Sequence, residues 1–139
     1  MTPDVTPIPA GTRILLVDDN VDASLIVSLG LRLNGFTVQR GDSGPQALSI
    51  AAVWAPQAIL LDISMPGMDG YETCRLLRQQ PWAQAVAILA LTGYGGPEAQ
   101  QRSEEAGFDG HLVKPVDLMS LTSFLLDMIE KKKTSALLE

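Results

Sequence analysis

Three aspartates stand directly after two short aliphatic runs in this sequence. Asp18 and Asp19 follow the run at 14–17. Asp62 follows a similar run at 58–61. Short, continuous aliphatic runs are typical of strands buried on both faces of a parallel sheet, so we expect the three carboxylates to emerge together at one edge. Crowded carboxylates are unfavourable without a cation, and oxygen ligands suit a hard ion such as Mg2+. The spacing therefore predicts a metal site that serves phosphate chemistry.

Two further aliphatic runs end in side chains that phosphate chemistry can use, Thr92 and Lys114. A hydroxyl can donate a hydrogen bond to a phosphoryl group, and an ammonium can neutralise its charge together with a metal. A carboxylate can attack phosphorus and form an acyl phosphate. Spacing alone does not decide which acid is this acceptor. Asp62 is favoured because it follows the central strand, whereas the adjacent pair Asp18 and Asp19 is better suited to gripping a metal.

An alternation of strand-like and helix-like segments must position these groups. Five aliphatic runs alternate with five segments whose apolar residues recur at helical spacing. Right-handed crossovers between such strands imply an α/β fold with a doubly wound, five-stranded parallel sheet, in the flavodoxin-like order 2-1-3-4-5 with five helices. In that order ligands bind outside the ends of strands one and three. The aspartates follow those two strands.

The helical segments have predictable ends and faces. Asp69 and Asp117 stand where they can cap the third and fifth helices. Arg75 and Arg78 are expected on the exposed side of the third helix. The apolar positions at helical spacing are Leu25, Ile26, Leu29 and Leu33 in the first helix; Ala47, Leu48, Ala51 and Ala52, facing inward, in the second; Tyr71, Cys74 and Leu77, facing the core, in the third; and Leu118, Leu121, Leu125 and Met128 in the fifth.

The composition fits one compact globular domain. Of the 139 residues, 46% are hydrophobic and 19% are charged, which supplies a proper core and excludes a disordered chain. The formal net charge of -6 opposes non-specific binding to nucleic acid, whose phosphates this surface would repel. We expect no direct nucleic-acid binding by this chain.

Cysteine content and hydropathy bear on the cellular compartment. Cys74 is the single cysteine and has no histidine or cysteine nearby at metal-ligand spacing, which is typical of a reducing environment. No apolar run approaches the roughly 20 residues that span a bilayer. The first residues lack the basic and apolar stretches of a signal peptide. These features predict a cytoplasmic location without membrane insertion.

The two ends are expected to lie outside the folded domain, which is placed at residues 12–133. Three prolines within residues 1–11 predict an extended linker or tail. Residues 134–139 carry no turn signal or core pattern and are expected to form a flexible tail. The last two of them fit a cloning remnant.

Four motifs together resemble the receiver domain of two-component response regulators, which has the flavodoxin-like (CheY-like) fold. The similarity runs from about Thr12 to Lys131, nearly the whole predicted domain. The matching motifs are Val-Asp-Asp-Asn at 17–20, Leu-Leu-Asp-Ile-Ser-Met-Pro-Gly-Met-Asp-Gly at 60–70, Ala-Leu-Thr-Gly at 90–93 and Leu-Val-Lys-Pro at 112–115. The resemblance implies a phosphoacceptor module that takes a phosphoryl group from a partner phosphohistidine and switches the surface of its last two strands and helices.

The resemblance also implies a role for each site residue. Asp62 is the phosphoacceptor and a ligand of Mg2+ (or Mn2+), and Asp19 is a direct metal ligand. Asp18 belongs to the metal site through water, and Ser64 contributes its backbone carbonyl. Lys114 supplies the ammonium, and its peptide bond to Pro115 is expected to be cis, an isomer that an X-Pro bond adopts at small cost.

A second set of positions concerns switching and phosphoryl lifetime. In the resemblance, Thr92 moves toward the phosphoryl group and the residue three before the lysine fills the vacated space. That residue is usually Tyr or Phe and is His111 here, the only histidine in the chain. Its imidazole could make the switch sensitive to pH, although a structural role at the end of strand five is an equally open interpretation. Ser64 and Tyr94 flank the path of the hydrolytic water, with an ordinary loop role left open for Tyr94.

The expected partners are a histidine kinase or a histidine phosphotransfer protein, and an effector of unknown kind. Arg75, Arg78 and the first helix are candidates for the kinase-facing surface. The chain is not expected to be an enzyme, beyond catalysing its own phosphorylation and dephosphorylation. The chain could be a stand-alone receiver or a receiver from a hybrid sensor kinase. The sequence of residues 110–117 resembles receivers of hybrid kinases and favours the second interpretation.

Other functions have requirements that this sequence does not meet. A haloacid-dehalogenase-type phosphatase also uses an aspartyl phosphate and Mg2+, but it needs an aspartate where this chain has Ser64. An FMN-binding flavodoxin needs hydroxyls and amides where this chain has Asp18 and Asp19. A receiver that binds proteins without being phosphorylated would lack an acid or the lysine, and neither is missing.

Overall fold

The computed structural model of the protein describes residue 9 and residues 11–138. Within them, five strands alternate with five helices. The strands are β1 (Arg13–Val17), β2 (Thr37–Gly41), β3 (Ala58–Asp62), β4 (Ala87–Thr92) and β5 (Gly110–Val113), and the helices are α1 (Val21–Leu33), α2 (Gly44–Trp54), α3 (Gly70–Arg78), α4 (Pro97–Ala106) and α5 (Leu118–Leu138). A short 3-10 helix, Pro81–Ala85, lies between α3 and β4.

The strands form one parallel sheet in the order β2-β1-β3-β4-β5. Successive side chains of a strand point to opposite faces, so β1 and β3 each contribute to two cores. On one face, Leu15 and Ile59 pack with residues of α2, α3 and α4. On the other face, Ile14 and Leu60 pack with residues of α1 and α5. The predicted fold class, strand order and number of helices are confirmed.

Several predicted caps and faces are also confirmed. Asp69 accepts a hydrogen bond from the Glu72 backbone N–H at 2.9 Å, and Asp117 accepts one from Ser120 at 2.8 Å. Each bond satisfies a backbone donor that has no partner within the helix. The α3 residues expected to face the core are all buried: Tyr71, Cys74 and Leu77.

Helix α1 buries a different side from the one that carries its large apolar residues. Its buried residues are Ser24, Ser28 and Leu31, while the apolar residues at helical spacing are exposed. We call the exposed set the α1 apolar stripe; it consists of Val21, Leu25, Ile26, Leu29 and Leu33. Small residues allow the helix to lie close to its neighbours, as at Gly30, where a Cβ atom would be 3.0 Å from Leu118.

Two further expectations about helix faces were wrong. Ala52 is exposed, because α2 meets the core through Ala47 and Ala51. Arg78 is largely buried, not on the exposed side of α3. Its guanidinium donates hydrogen bonds to the carbonyl groups of Gly107, Ala83 and Val86, and these contacts draw it inward.

The ends of the domain differ from the expectation where they are described. Helix α5 continues to Leu138, so residues 134–138 are helical and not a tail. No glycine or proline follows Pro115, and the chain therefore has no strong helix terminator in this region. The predicted linker lies largely outside the described residues. In the described part of the chain, no helix combines the length and hydrophobicity required to cross a membrane.

Candidate functional site

The three aspartates predicted to meet do so at the carboxyl edge of the sheet. Strands β1 and β3 are neighbours, with Val17 paired to Leu61, so the residue that follows each one lies at the same edge. Carboxylate oxygens of Asp18, Asp19 and Asp62 lie within 4.8 Å of one another. Asp18 and Asp62 are each only 5% exposed, whereas Asp19 is exposed. Two buried carboxylates and one exposed carboxylate therefore face a common point.

Backbone amides orient the two buried carboxylates. The Asn20 N–H donates to Asp18 Oδ1 at 2.9 Å, and the Ser64 N–H donates to Asp62 Oδ1 at 3.2 Å. In both cases the donor is two residues beyond the aspartate, which is the geometry of an Asx turn. The second oxygen of Asp62 is not engaged by this turn and remains available for chemistry.

Lys114 reaches the same cluster from the end of β5. Its Nζ atom lies 3.4 Å from Asp18 Oδ2 and 3.6 Å from Asp62 Oδ1. Its backbone N–H donates to the Thr92 carbonyl at 2.7 Å, which fixes it against the end of β4. The Lys114–Pro115 peptide bond is cis, the isomer that the resemblance implies. One ammonium thus contacts both buried carboxylates.

The cluster has an excess of negative charge for so buried a site. Burial raises the pKa of the Asp62 carboxyl above its ordinary value, and the neighbouring Asp18 raises it as well. The Ser64 backbone hydrogen bond and the Lys114 ammonium lower this pKa, but they do not cancel the effect of burial. A divalent cation would supply the missing positive charge. The oxygen-only donor set fits Mg2+ or Mn2+, because these ions bind carboxylates and carbonyls and retain water ligands.

Glycine at position 70 allows the loop after β3 to pass close to the site. A Cβ atom on Gly70 would lie 2.6 Å from Ile63 Cα and 2.7 Å from the Asp62 carbonyl oxygen. The sequence interpretation did not assign a role to this glycine, although it stands in the 60–70 motif directly after the Asp69 cap. Such a contact between the two ends of one loop cannot be predicted from the spacing of residue types.

Thr92 ends β4 beside the cluster and is 2% exposed. Its Oγ1 atom accepts a hydrogen bond from the Tyr94 backbone N–H at 3.0 Å. The neighbouring strands pair Asp62 with Leu91, so Thr92 lies one residue further toward the carboxyl edge. The structure therefore brings together the five predicted groups Asp18, Asp19, Asp62, Thr92 and Lys114.

The remaining predicted residues lie at the margin of the cluster. Ser64 and the Tyr94 side chain are exposed. His111 is half-buried on β5, paired with Ala90, and it is not among the carboxylate cluster. Its Nδ1 atom lies 3.0 Å from Ser103 Oγ and its Nε2 atom 3.2 Å from the Tyr94 carbonyl oxygen. Ser103, on α4, had no assigned role in the sequence analysis.

The family model of the response regulator receiver domain matches residues 14–126 of this chain. This match covers β1 from its second residue onward, the whole of β2 to β5, and the site described above. The chain belongs to the response regulator receiver family. The flavodoxin-like sheet and the acidic edge are thus those of a receiver domain of two-component signalling.

Individual proteins similar to this receiver domain support the same conclusion. It is 34% identical to the response regulator PleD of Caulobacter vibrioides over 132 residues, which cover 89% of this chain but 29% of PleD. It is 32% identical to the chemotaxis protein CheY4 of Vibrio cholerae, with a TM-score of 0.82 and coverage of 86% of this chain and 99% of that one. The receiver domain of the sensor histidine kinase PA1611 of Pseudomonas aeruginosa, solved with a magnesium ion in its active site cleft, is 33% identical, with a TM-score of 0.80 and coverage of 87% and 99%.

This receiver domain spans less than a third of the length of PleD. Another relative, a probable cyclic di-GMP phosphodiesterase of Vibrio cholerae, is 33% identical over a region that makes up 28% of its length. Receiver domains therefore occur in relatives that are much longer than the region they share with this chain. The similarity establishes that this chain is a signalling module. It concerns the receiver region of these relatives and not the parts of them that produce a response.

Proposed function

We propose that Asp62 of this receiver domain accepts a phosphoryl group from a partner phosphohistidine. A free Asp62 carboxylate oxygen attacks phosphorus, the P–N bond breaks, and the imidazole of the donor leaves with the bonding electrons. The observation that carries the proposal is the position of Lys114 Nζ, 3.4 Å from Asp18 and 3.6 Å from Asp62, beside the three-carboxylate cluster. An ammonium so placed can bind an oxygen of the incoming phosphoryl group.

The chain's acids are suited to hold the metal that this reaction needs. Asp18, Asp19 and Asp62 would hold Mg2+ or Mn2+, with the Ser64 backbone carbonyl as a further ligand. When bound, the ion supplies positive charge that neutralises phosphoryl oxygens. Asp19 is the most accessible of the acids, which fits a direct ligand. Asp18 is held by Asn20 and Lys114, which fits a role through water.

Thr92, His111, Ser64 and Tyr94 are proposed to act after phosphorylation. The Thr92 hydroxyl would donate to a phosphoryl oxygen, and His111 would respond on β5. Ser64 and Tyr94, both exposed beside the site, would set how readily water reaches the acyl phosphate. The resulting switch would alter the surface formed by the last two strands and helices.

The α1 apolar stripe is the proposed surface for the phosphodonor, a histidine kinase or histidine phosphotransfer protein. Helix α1 begins directly after Asn20, so the stripe lies next to the acceptor site. Ile26 is 71% exposed and Leu29 is 51% exposed. A contiguous group of exposed apolar residues on one helix is typical of a protein interaction site. Arg78 is engaged in internal hydrogen bonds, so we do not include it in the phosphodonor surface.

The proposal includes no separate substrate, so the protein would catalyse only its own phosphorylation and dephosphorylation. A haloacid-dehalogenase-type phosphatase is disfavoured because Ser64 stands where that chemistry needs an acid. A receiver that is never phosphorylated is disfavoured by the complete set of acids and lysine. We propose a cytoplasmic location, which the free, buried Cys74 supports.

The test is incubation with acetyl phosphate and Mg2+, followed by intact mass measurement. We expect a labile adduct of one phosphoryl group in the wild type and in Asp127→Asn, whose carboxylate lies on the exposed side of α5. We expect no adduct in Asp62→Asn or in the presence of EDTA. An adduct that persists in Asp62→Asn would show that another residue is the acceptor, and no adduct in the wild type would overturn the proposal.

A further inference from the structure

The connection between β2 and α2, residues 41–44, contacts the acidic cluster from two directions. At one end, the Gly41 carbonyl accepts a hydrogen bond from the Asp18 backbone N–H at 3.1 Å. At the other end, Gly44 lies against the loop that follows β3, because a Cβ atom on Gly44 would be 2.6 Å from Met68 Sδ. The connection therefore adjoins one buried carboxylate and the loop that leads away from the other.

Hydrogen bonds and packing fix the start of α2. The Gln46 backbone N–H donates to Ser43 Oγ at 3.3 Å, and the Gln46 side-chain carbonyl accepts from the Asp42 backbone N–H at 2.8 Å. Such bonds satisfy backbone donors at a helix start and hold its first turn in place. The buried residues Ala47 and Ala51 fasten the same helix to the core. The first turn of α2 is thus a fixed surface for its neighbours.

Met68 is the side chain through which the loop after β3 meets this surface. It is half-buried, and its thioether occupies the space that a side chain at position 44 would need. Glycine at position 44 therefore makes the contact possible. An unbranched, flexible thioether fills an irregular gap of this kind well.

Few side chains hold the loop inward. Met65 is 5% exposed and packs in the core, but Ser64 and residues 66 and 67 are exposed. The Ser64 backbone supplies the N–H that donates to Asp62 Oδ1 at 3.2 Å and the carbonyl proposed as a metal ligand. Because its own side chain is in solvent, the position of this backbone depends on its neighbours. Met65 and Met68 are the apolar anchors on either side of the exposed tip.

We propose that Met68, resting on the first turn of α2, is a positioning residue for the metal site; the inference rests on the proposed function. A thioether is a soft ligand that does not suit Mg2+, so Met68 acts through the Ser64 backbone and the Asp62 carboxylate that it orients. The connection that supports Met68 also binds the Asp18 backbone through Gly41. Helix α2 therefore sets the separation between the two buried halves of the ligand set.

The test measures Mg2+ binding to the unphosphorylated protein by NMR titration, and exchange of the Ser64 amide with water in EDTA. Met68→Ala removes the anchor, and Met68→Leu keeps its volume. The matched control is Met128→Ala, because Met128 is also half-buried but packs on the opposite face of the sheet. Both alanine variants remove packed side-chain atoms and should lose stability, so a loss of stability alone does not distinguish them.

We expect the Kd for Mg2+ to rise about tenfold in Met68→Ala, as is typical when a residue that orients a metal ligand is removed. Met68→Leu should bind Mg2+ within about twofold of the wild type, because a volume-conserving substitution preserves the packing. Met128→Ala should bind as the wild type does. Without metal, the Ser64 amide should exchange faster in Met68→Ala than in the other three proteins, because the loop has lost an anchor.

The outcomes separate failure of the inference from failure of the proposed function. Equal Mg2+ affinities of the wild type and Met68→Ala would overturn the inference. An equal loss of affinity in Met128→Ala would also overturn it, since the effect would then follow from stability alone. The same holds if Met68→Leu binds no better than Met68→Ala, because filling the space over Gly44 would not matter. If the wild type itself takes up no Mg2+, the proposed function fails instead.

Discussion

At the scale of single residues, the site depends on holding charged carboxylates where water is scarce. Asp62 is buried and close to Asp18, and both effects disfavour its ionised form. Lys114 offsets part of that cost, but it contacts two carboxylates at 3.4 and 3.6 Å. The fold therefore bears a cost in stability that a bound cation would relieve, as expected if Asp62 is the proposed phosphoacceptor.

The raised pKa of Asp62 gives a prediction with a definite sign. The pKa of Asp62 is higher in the folded protein than its ordinary value of 3.8. Below pH 3.8 the carboxyl is protonated in both the folded and the unfolded protein, and its contribution to stability is fully present. This contribution is lost as pH rises through the folded-state pKa. Asp62→Asn should therefore increase the free energy of unfolding at pH 7 in EDTA, because the amide removes a buried charge that the fold disfavours. Urea unfolding measures the difference.

The gain should disappear at low pH and on addition of the metal. Near pH 3 the wild-type carboxyl is neutral in both states, so the two proteins should unfold alike. Excess Mg2+ should stabilise the wild type and have a smaller effect on Asp62→Asn. The control is Asp127→Asn, whose exposed carboxylate pairs with Lys131. A wild type more stable than Asp62→Asn at pH 7 without metal would contradict the argument.

At the scale of elements, the loop after β3 is shaped by the contact of Gly70 with the Asp62 backbone. Gly70→Ala places a methyl group within 2.7 Å of the Asp62 carbonyl oxygen, so the loop or the strand end must shift. We expect a loss of about 2 kcal/mol in unfolding free energy, typical of overpacking, together with slower phosphorylation by acetyl phosphate.

The matched control for Gly70→Ala is Gly93→Ala. Apart from its two chain neighbours, no atom of the described residues would lie within 4 Å of a Cβ atom at Gly93, so unfolding free energy should change by less than about 0.5 kcal/mol. Equal losses in the two variants would mean that helix or loop propensity, and not the close approach, determines the effect. Urea unfolding of both proteins at the same pH decides between these explanations.

Arg78 and Asp109 link several elements at the edge of the sheet opposite to the one that carries Asp62. The Arg78 guanidinium binds Asp109 and three backbone carbonyls. Asp109 also accepts from the Ile88 N–H at 2.9 Å and forms a salt bridge with Lys132 at 2.7 Å. Arg78→Ala removes the guanidinium that pairs with Asp109 and donates to three carbonyls in a mostly buried place. It should lower unfolding free energy by about 3 kcal/mol.

This loss should leave phosphorylation by acetyl phosphate intact wherever the protein is folded, because the network is remote from Asp62. Arg75→Ala is the control. Arg75 is exposed on the same helix and should cost less than about 0.5 kcal/mol. Similar stabilities of Arg78→Ala and Arg75→Ala in urea unfolding would show that the internal hydrogen bonds of Arg78 contribute little.

At the scale of the whole molecule, the sequence predicts the strands and their order because aliphatic runs have few alternatives to a buried parallel sheet. Asp18 and Asp62 could be placed at one edge because strand ends are set by that order. The close approach at Gly70, the inward turn of Arg78 and the contact of Ser103 with His111 could not be placed. They depend on how one element packs against another, and the spacing of apolar residues within a single element does not predict them.

Helix α1 shows the same distinction between spacing and packing. Its apolar residues recur at helical spacing and predict a helix correctly. The protein nevertheless buries Ser24, Ser28 and Leu31 and leaves the α1 apolar stripe in solvent. Hydrophobicity alone assigns such a stripe to the core. The exposure of the stripe is therefore a property of the whole molecule, and we attribute it to association with the phosphodonor.

This attribution predicts that the stripe matters for one phosphodonor and not for another. Ile26→Ser removes a large apolar group that is 71% exposed and contributes little to the core. Phosphorylation by acetyl phosphate, which needs no protein surface, should be unchanged. Transfer from a histidine phosphotransfer protein that phosphorylates the wild type should slow by about tenfold, as expected when truncation of one interface anchor costs about 1.4 kcal/mol.

Val53→Ser is the matched control, because Val53 is 89% exposed on α2 and lies across the sheet from α1. Its transfer rate should equal that of the wild type with both donors. Quenched time courses of radiolabelled phosphoryl transfer measure the rates of the wild type and both variants with each donor. A slowing with both donors in Ile26→Ser would indicate damage to the acceptor site. Unchanged transfer from the protein donor would show that the donor binds elsewhere and that the α1 apolar stripe serves another partner.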